Sequence, residues 1–288
     1  MSRNSNRIGG TGAAEQDGAP PQQNMENPTN DFGFVVPTEF VDLPSKGSFY
    51  PNGHPLHGQD TIEIKHMTAK EEDMLTSRSL LKKGVAIDRV INSIIVDNNI
   101  NPQELLVGDR NAIIVAARIS AYGDEYNTKV TCPSCTTQQE YSFDLTESST
   151  TIEEDDTFEG LVQQQEGGTF TVVLPRSELE IGFRLLTGRD EKRLTSGLET
   201  DKKTKGAYEK SVTRQLKNIM VSVNGNTTSQ AVNYVVDNLP SIDARYLRQA
   251  YKSVNPNIDL TQHFECNTCD YEQDMEVPLT ADFFWPDR

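Results

Sequence analysis

The strongest chemical signal in this sequence is a pair of short cysteine motifs, Cys132-Pro133-Ser134-Cys135 and Cys266-Asn267-Thr268-Cys269. Each motif follows a short strand-like segment and precedes a segment of alternating apolar residues, so each is predicted to be the turn of a β-hairpin. Two residues between the thiolates direct both sulfurs toward one point, about 2.3 Å from a zinc ion. The sequence therefore predicts a structural four-thiolate Zn²⁺ site on Cys132, Cys135, Cys266 and Cys269, with no position left for water.

The separation of the two motifs excludes a local zinc finger. The interval from Cys135 to Cys266 contains 130 residues (266 − 135 − 1), whereas a zinc ribbon has roughly 15–20. One ion would therefore clasp distant parts of the chain. Iron in the same geometry, unmetallated thiols and redox-active thiols are the alternatives. A thioredoxin-like motif is disfavoured because it would open a helix, and strand-forming residues follow here.

Two details bear on the ligand set. His263 lies three residues before Cys266 and is a candidate competing ligand, although an ordinary strand residue is the favoured interpretation. Thr136 and Asp270 follow the second cysteine of each motif, where common zinc knuckles carry glycine. Their presence weakens the prediction of a tight knuckle turn.

The second half of the chain resembles the first. Residues 61–77 and 180–196 share six identities at an offset of 119, and further matches follow in the same order at larger offsets. The later matches include Ile94/Ile219, Asp109/Asp243, Ala116/Ala250, Cys132/Cys266, Cys135/Cys269, Gln139/Gln273 and Leu145/Leu279. Collinear matches with stepwise offsets are typical of an internal duplication with insertions between elements. Chance similarity between two amphipathic stretches is the alternative.

These patterns predict an internally duplicated α+β protein, in which two strand–helices–hairpin lobes are joined by a zinc-knuckle clasp. Residues 1–36 are polar and are predicted to be a disordered N-terminal tail. Residues 37–146 form the first lobe, 147–168 an acidic linker, and 169–288 the second lobe with an aromatic C-terminus. Within the first lobe, a strand at 61–65, a capping box from Thr68 to Glu71 and helical spacing from Leu80 to Ile95 are expected.

Composition excludes several functional classes. The net charge is −16, which opposes binding to a phosphate backbone or an anionic membrane surface. No apolar stretch approaches the ~18 residues of a membrane span, and the first 30 residues contain no signal-peptide core. We therefore expect an intracellular protein that binds neither nucleic acid nor a membrane. No small-molecule substrate is expected either.

Recognised catalytic motifs are absent from the sequence. It contains no phosphate-binding glycine loop, no H-E-x-x-H and no G-x-S-x-G. The acidic run Glu153–Asp156, the basic cluster Lys202–Lys205 and the histidines His54, His57 and His66 are each expected to be solvated loop features. Phe283, Phe284 and Trp285 are expected to dock on the core or on a partner subunit. We therefore predict a protein that is not an enzyme.

A family resemblance lies in the segment Leu43-Pro44-Ser45-Lys46-Gly47-Ser48-Phe49-Tyr50-Pro51. With the strand at 61–65, the helix start Met67-Thr68-Ala69 and the paired cysteine turns, it resembles the baseplate hub and hub-assembly proteins of T4-like contractile-tailed bacteriophages. The resemblance covers roughly residues 37 to 287.

The resemblance implies a non-enzymatic role in virion morphogenesis. Other phage baseplate hub proteins would be the partners, with the chain in the host cytoplasm during assembly or in the virion tail baseplate. A zinc-ribbon nucleic-acid-binding protein is the alternative function, against which the net charge argues.

Overall fold

Short antiparallel sheets alternate with helices along the chain. The computed structural model describes residues 34–151, 158–203, 210–277 and 281–284. The helices are α1 Ala69–Thr76, α2 Arg78–Lys82, α3 Ala86–Ile94, α4 Val107–Tyr122, α5 Gly188–Lys203, α6 Ser211–Ile219, α7 Ser229–Asn238 and α8 Ser241–Lys252. The strands are β1 Thr38–Asp42, β2 Thr61–Lys65, β3 Glu125–Thr131, β4 Gln138–Asp144, β5 Ser149–Thr151, β6 Gln163–Gln165, β7 Thr169–Val173, β8 Glu180–Arg184, β9 Met220–Val223, β10 Asn257–Asp259, β11 Thr261–Glu265 and β12 Glu272–Glu276.

The first half begins with the β1–β2 pair, followed by three helices. The predicted strand at 61–65 is β2. The predicted capping box is present at the start of α1, where the backbone N–H of Thr68 donates to the Glu71 carboxylate at 3.0 Å. The helical spacing from Leu80 to Ile95 does not form one helix. It is divided into α2 and α3 because Gly84 adopts a φ of +63°, which ends α2.

The second half contains a four-stranded sheet in the order β6-β7-β8-β9. The isolated bridge between Ile64 and Ile95 in the first half corresponds to the pairing of Phe183 with Met220 in the second. Ile64 and Phe183 are related by the offset of 119, and Ile95 and Met220 by the offset of 125 that also relates Ile94 to Ile219. The same backbone pairing therefore occurs at matching places in both halves.

Two β-hairpins carry the cysteine motifs. Strands β3 and β4 pair from Glu125 to Asp144, and β11 and β12 pair from Thr261 to Glu276. Both hairpins form around the predicted turns.

A buried arginine anchors the end of the described chain. The Arg118 guanidinium of α4 donates to the carbonyl oxygens of Phe283, Gly123 and Glu125 at 2.7–3.2 Å. Phe283 also packs edge-to-face on Tyr126. The C-terminal aromatics Phe283 and Phe284 are therefore docked on the core, and Trp285 lies outside the described residues.

Contacts divide the chain between Val36 and Pro37 into Met1–Val36 and Pro37–Arg288. The latter has one buried hydrophobic cluster that includes residues of both halves. Phe158, within the stretch 147–168 that was predicted as a linker, belongs to this cluster. The same stretch also contains β5, which pairs with β10, and β6, which pairs with β7. The predicted tail up to residue 33 and the acidic run 153–156 lie outside the described residues.

Candidate metal centre

The two cysteine turns are built alike from backbone hydrogen bonds. In the first, the N–H of Thr136 donates to the Cys132 carbonyl, and the N–H of Cys132 donates to the Thr137 carbonyl, both at 2.9 Å. In the second, the corresponding bonds run from Asp270 to Cys266 at 3.1 Å and from Cys266 to Tyr271 at 2.9 Å. The two turns therefore share the same pattern of backbone hydrogen bonds around their cysteines.

Thr136 and Asp270 adopt the conformation that glycine would favour. Their φ angles are +59° and +52°, in the left-handed region that costs an L-residue roughly 1–2 kcal/mol. The missing glycines noted in the sequence therefore do not prevent the knuckle turns. They leave a local strain in each turn.

The four sulfurs converge from the two halves of the chain. Cys132 Sγ lies 3.8 Å from Cys269 Sγ, and Cys135 Sγ lies 3.7 Å from Cys266 Sγ. All four sulfurs lie within 4.8 Å of one another. Ligands 2.3 Å from a tetrahedral zinc ion are about 3.8 Å apart. The sulfur spacing therefore fits a four-thiolate metal site.

The site is half enclosed. Cys132 and Cys266 are buried, whereas Cys135 is intermediate and Cys269 is exposed. Hydrogen bonds from Thr137 lower the pKa of the Cys135 thiol to about 6. Desolvation and the neighbouring thiols raise the pKa of Cys269 to about 12. Neighbouring thiolates repel each other, so a bound divalent cation would be needed for all four to ionise together.

Side chains outside the motifs bind the two hairpins directly to each other. Gln139 of β4 donates from Nε2 to the Glu265 carbonyl at 2.9 Å and accepts from the N–H of Asn267 at 3.0 Å. Gln262 makes a comparable pair of bonds with the backbone of Asp144. The ring of Tyr141 packs on Phe264, with centroids 5.2 Å apart. The hairpins are thus aligned by contacts as well as by the cysteines.

The other candidates from the sequence do not join this cluster. The metal-ligating side chains grouped within the described residues are the four cysteines. His263 Nδ1 faces Asp274 Oδ1 at 3.5 Å. His54 stacks on Tyr50, and His57 bonds to the Tyr50 carbonyl. The basic cluster is not wholly a connector: Lys202 and Lys203 belong to α5, and residues 204–209 lie outside the described residues.

Sequence reasoning matched Asp109 with Asp243 but did not predict that both carboxylates are buried hydrogen-bond acceptors. Asp109 accepts hydrogen bonds from the N–H and hydroxyl of Ser45 and from the Tyr50 hydroxyl, at 2.6–2.9 Å. Asp243 accepts from the N–H groups of Arg176 and Ser177, both at 2.9 Å. Each aspartate is fully buried.

One backbone donor to each aspartate also lies at a matching position, the N–H of Ser45 for Asp109 and that of Arg176 for Asp243. Ser45 follows Leu43-Pro44, and Arg176 follows Leu174-Pro175. This Leu-Pro match, at an offset of 131, was the available signal. In the first half, the segment with the family resemblance therefore anchors β1 and its loop to α4.

A family model described as "T4 bacteriophage base plate protein" matches residues 37–285. The chain belongs to the T4 bacteriophage base plate protein family. The match begins where the contacts divide the chain and includes both cysteine hairpins. The comparisons with curated proteins and with solved structures gave no match.

Family membership makes this chain a phage base plate protein and favours a structural role in the tail. Among the described residues, no helix has both the length and the apolar character needed to cross a membrane.

Proposed function

We propose that this base plate protein is a non-enzymatic component or assembly factor of the baseplate hub, held rigid by one structural zinc ion. The observation that carries the proposal is the convergence of four sulfurs from distant parts of the chain, with cross-motif distances of 3.7 and 3.8 Å. Cys132, Cys135, Cys266 and Cys269 would hold the ion. With four thiolate ligands, the ion supplies a crosslink and no open position for chemistry.

The zinc ion would act on the fold as a whole. Its ligands come from hairpins whose cysteines are 131 and 137 residues apart along the chain. Because the unfolded chain lacks a preformed site, the free energy of metal binding adds to the stability of the folded state.

The two halves, residues 37–146 and 169–288, are proposed to be duplicated lobes joined across a linker at 147–168. Support comes from the matched turns, the bridge at Ile64 and Ile95, and the two buried aspartates. Residues distant in sequence serve the same role in each half. On this view the metal site lies where the two copies of the hairpin meet.

The proposed partners are other baseplate hub proteins, met in the host cytoplasm during assembly or in the finished tail. The family supports a baseplate context, and the net charge of −16 favours basic protein surfaces over nucleic acid. We therefore expect assembly contacts through protein surfaces. A catalytic role is not part of the proposal.

Quantitative mass spectrometry of purified virions and infected-cell lysate tests the proposal. A fixed low copy number per virion is expected for a hub component. Presence in hub-containing complexes of the lysate, with absence from virions, is expected for an assembly factor. Absence from both virions and hub complexes would contradict the proposed function.

A further inference from the structure

Strand β1 has an open edge where its counterpart in the second half is covered. Strands β1 and β7 match at Thr38/Thr169 and Val41/Val172, and they continue into Leu43-Pro44 and Leu174-Pro175. Each pairs on one side with the next strand, β2 or β8. On its other side β7 pairs with β6. Among the described residues, no strand pairs with the other side of β1.

The hydrogen-bonding pattern shows which residues face this open edge. The backbone N–H of His66 donates to the Pro37 carbonyl, and the backbone N–H of Leu43 donates to the Asp60 carbonyl. Hydrogen-bonded pairs alternate along an antiparallel ladder, so the backbone groups of Glu39 and Val41 face β2. The backbone N–H and C=O groups of Thr38, Phe40 and Asp42 therefore face away from β2.

The same rule applies to β7. Leu174 donates to the Leu179 carbonyl, so by the alternation Thr169 and Thr171 direct their backbone groups away from β8. These two residues are paired with Gln165 and Gln163 of β6. They correspond to Thr38 and Phe40. The open edge of β1 thus presents the groups that β6 occupies in the other half.

A hairpin like that between β6 and β7 cannot form in front of β1. The β6–β7 turn uses Gly167 and Gly168, with φ angles of +76° and +72°. Val36 and Pro37 stand at the matching positions. Proline is fixed near a φ of about −65°, and a β-branched valine is strongly disfavoured at positive φ. The preceding residues of this chain are therefore unsuited to supply the missing strand as β6 does.

The side chains at the edge indicate the chemistry of an occupant. Phe40 is 71% exposed, and Asp42 is also exposed. Glu39 has a buried carboxylate oxygen, Oε1, without a hydrogen-bond partner among the described residues. An apolar side chain beside Phe40 and a lysine or arginine beside the acidic residues would satisfy this edge. A second copy of this chain is a poorer candidate because each copy carries a net charge of −16.

From this edge we infer that β1 accepts an extended segment of another base plate protein, which adds an apolar and basic strand along Thr38–Asp42. The inference rests on the proposed function, since it needs a neighbouring base plate protein. Main-chain bonds would provide affinity, and the pairing beside Phe40 would provide specificity. The added strand would complete the first sheet as β6 completes the second.

Photo-crosslinking in assembled base plates tests the inference. The photo-reactive residue p-benzoylphenylalanine replaces Phe40 in the full-length chain during infection, and crosslinked peptides from purified base plates and hub complexes are sequenced. Tyr234 on α7 is the matched control position, because it is also 71% exposed. We expect position 40, and not position 234, to crosslink to a segment of another base plate protein.

Three results would overturn the inference alone. They are crosslinks only to residues 1–33 of the same chain, crosslinks only to a second copy, and no crosslink in base plates or hub complexes that contain the chain. Absence of the chain from base plates and from hub complexes would overturn the proposed function as well.

A proline variant provides a second test that keeps β1 paired with β2. Phe40→Pro removes the backbone N–H of residue 40, which faces the open edge and not β2. Edge strands tolerate proline at such positions. We expect unchanged thermal unfolding but a fall of roughly tenfold in incorporation into base plates, as loss of about 1.4 kcal/mol of binding would give. Phe40→Thr, which introduces the residue of β7, is the control for the side chain. Unchanged incorporation of Phe40→Pro would contradict strand addition at this edge.

Discussion

At the scale of single residues, the knuckle turns combine a useful geometry with a local strain. Thr136 and Asp270 stand in the left-handed region, where glycine has no steric penalty. Relief of the left-handed strain, roughly 1–2 kcal/mol, outweighs the extra freedom of glycine in the unfolded chain, roughly 0.5–1 kcal/mol. We therefore predict that Thr136→Gly stabilises the folded chain by about 0.5–1 kcal/mol, and that Asp270→Gly gains less because aspartate tolerates this region better. Thermal unfolding of the two variants measures the effect. A fall in stability for Thr136→Gly would mean that the turn is not strained.

A second residue-scale prediction concerns the Tyr50 hydroxyl. It donates to Asp109 Oδ2 at 2.7 Å and accepts from the N–H of Leu106 at 3.1 Å, and both partners are buried. Tyr50→Phe should therefore cost about 1–3 kcal/mol of unfolding free energy, because it leaves buried polar groups unsatisfied. Denaturant unfolding provides the measurement. Tyr234→Phe on the exposed Tyr234 is the control and should change little, and an equal effect of both would contradict this account.

The clustering of the four cysteines could be predicted from the sequence, but the buried contacts could not. Paired C-x-x-C spacing is a local pattern that the geometry of metal ligation explains. The bond between Ser45 and Asp109 joins residues 64 apart, and no local pattern reports such a distance. Gln139 and Gln273 were matched in sequence, yet Gln139 bridges the hairpins whereas Gln273 accepts from Tyr271. Matching positions need not keep matching contacts.

At the scale of elements, the start of α5 depends on the charge of Asp190. Its carboxylate accepts two bonds from the Arg184 guanidinium and two from Thr187, at 2.7–3.0 Å. Burial alone would raise the pKa of Asp190, but these bonds outweigh it and hold the pKa below its usual value. The charged form therefore stabilises the fold above the unfolded pKa of about 3.9, and this contribution is lost as the pH falls through the lower folded pKa.

Asp190→Asn tests this dependence. At pH 7 we expect it to lower the unfolding free energy by about 1–3 kcal/mol, with the difference from the parent chain shrinking as the pH falls below about 4. Denaturant unfolding across this pH range is the measurement. Asp73→Asn, at an exposed position of α1, is the control. A constant difference for Asp190→Asn at all pH values would contradict the charge-based explanation.

Element prediction succeeded where periodicity was undisturbed. The strand β2, the start of α1 and both cysteine hairpins follow from alternation and capping patterns. The break between α2 and α3 could not be predicted from these patterns, because the apolar spacing continues across Gly84 while the backbone turns there. Strand β6 was also missed. Its sequence is Gln163-Gln164-Gln165, and only the neighbouring β7 gives these polar residues a strand conformation.

Across the molecule, the cluster of four cysteines joins regions that are distant in sequence. We predict that Cys132→Ser lowers the melting temperature by about 10 °C or more, since each kcal/mol lost shifts it by roughly 2–4 °C in a protein of this size. Hydrogen exchange should increase in both hairpins and not only in the mutated turn. His263→Ala is the control, because His263 faces Asp274. An unchanged melting temperature for Cys132→Ser would mean that no ion supports the fold.

We propose that one zinc ion binds the four cysteines of this base plate protein. Zinc K-edge X-ray absorption on the purified, metal-quantified chain tests this proposal. We expect one zinc per chain with four sulfur ligands at about 2.3 Å. Substoichiometric zinc, iron in its place, or a shell containing nitrogen or oxygen ligands would contradict it.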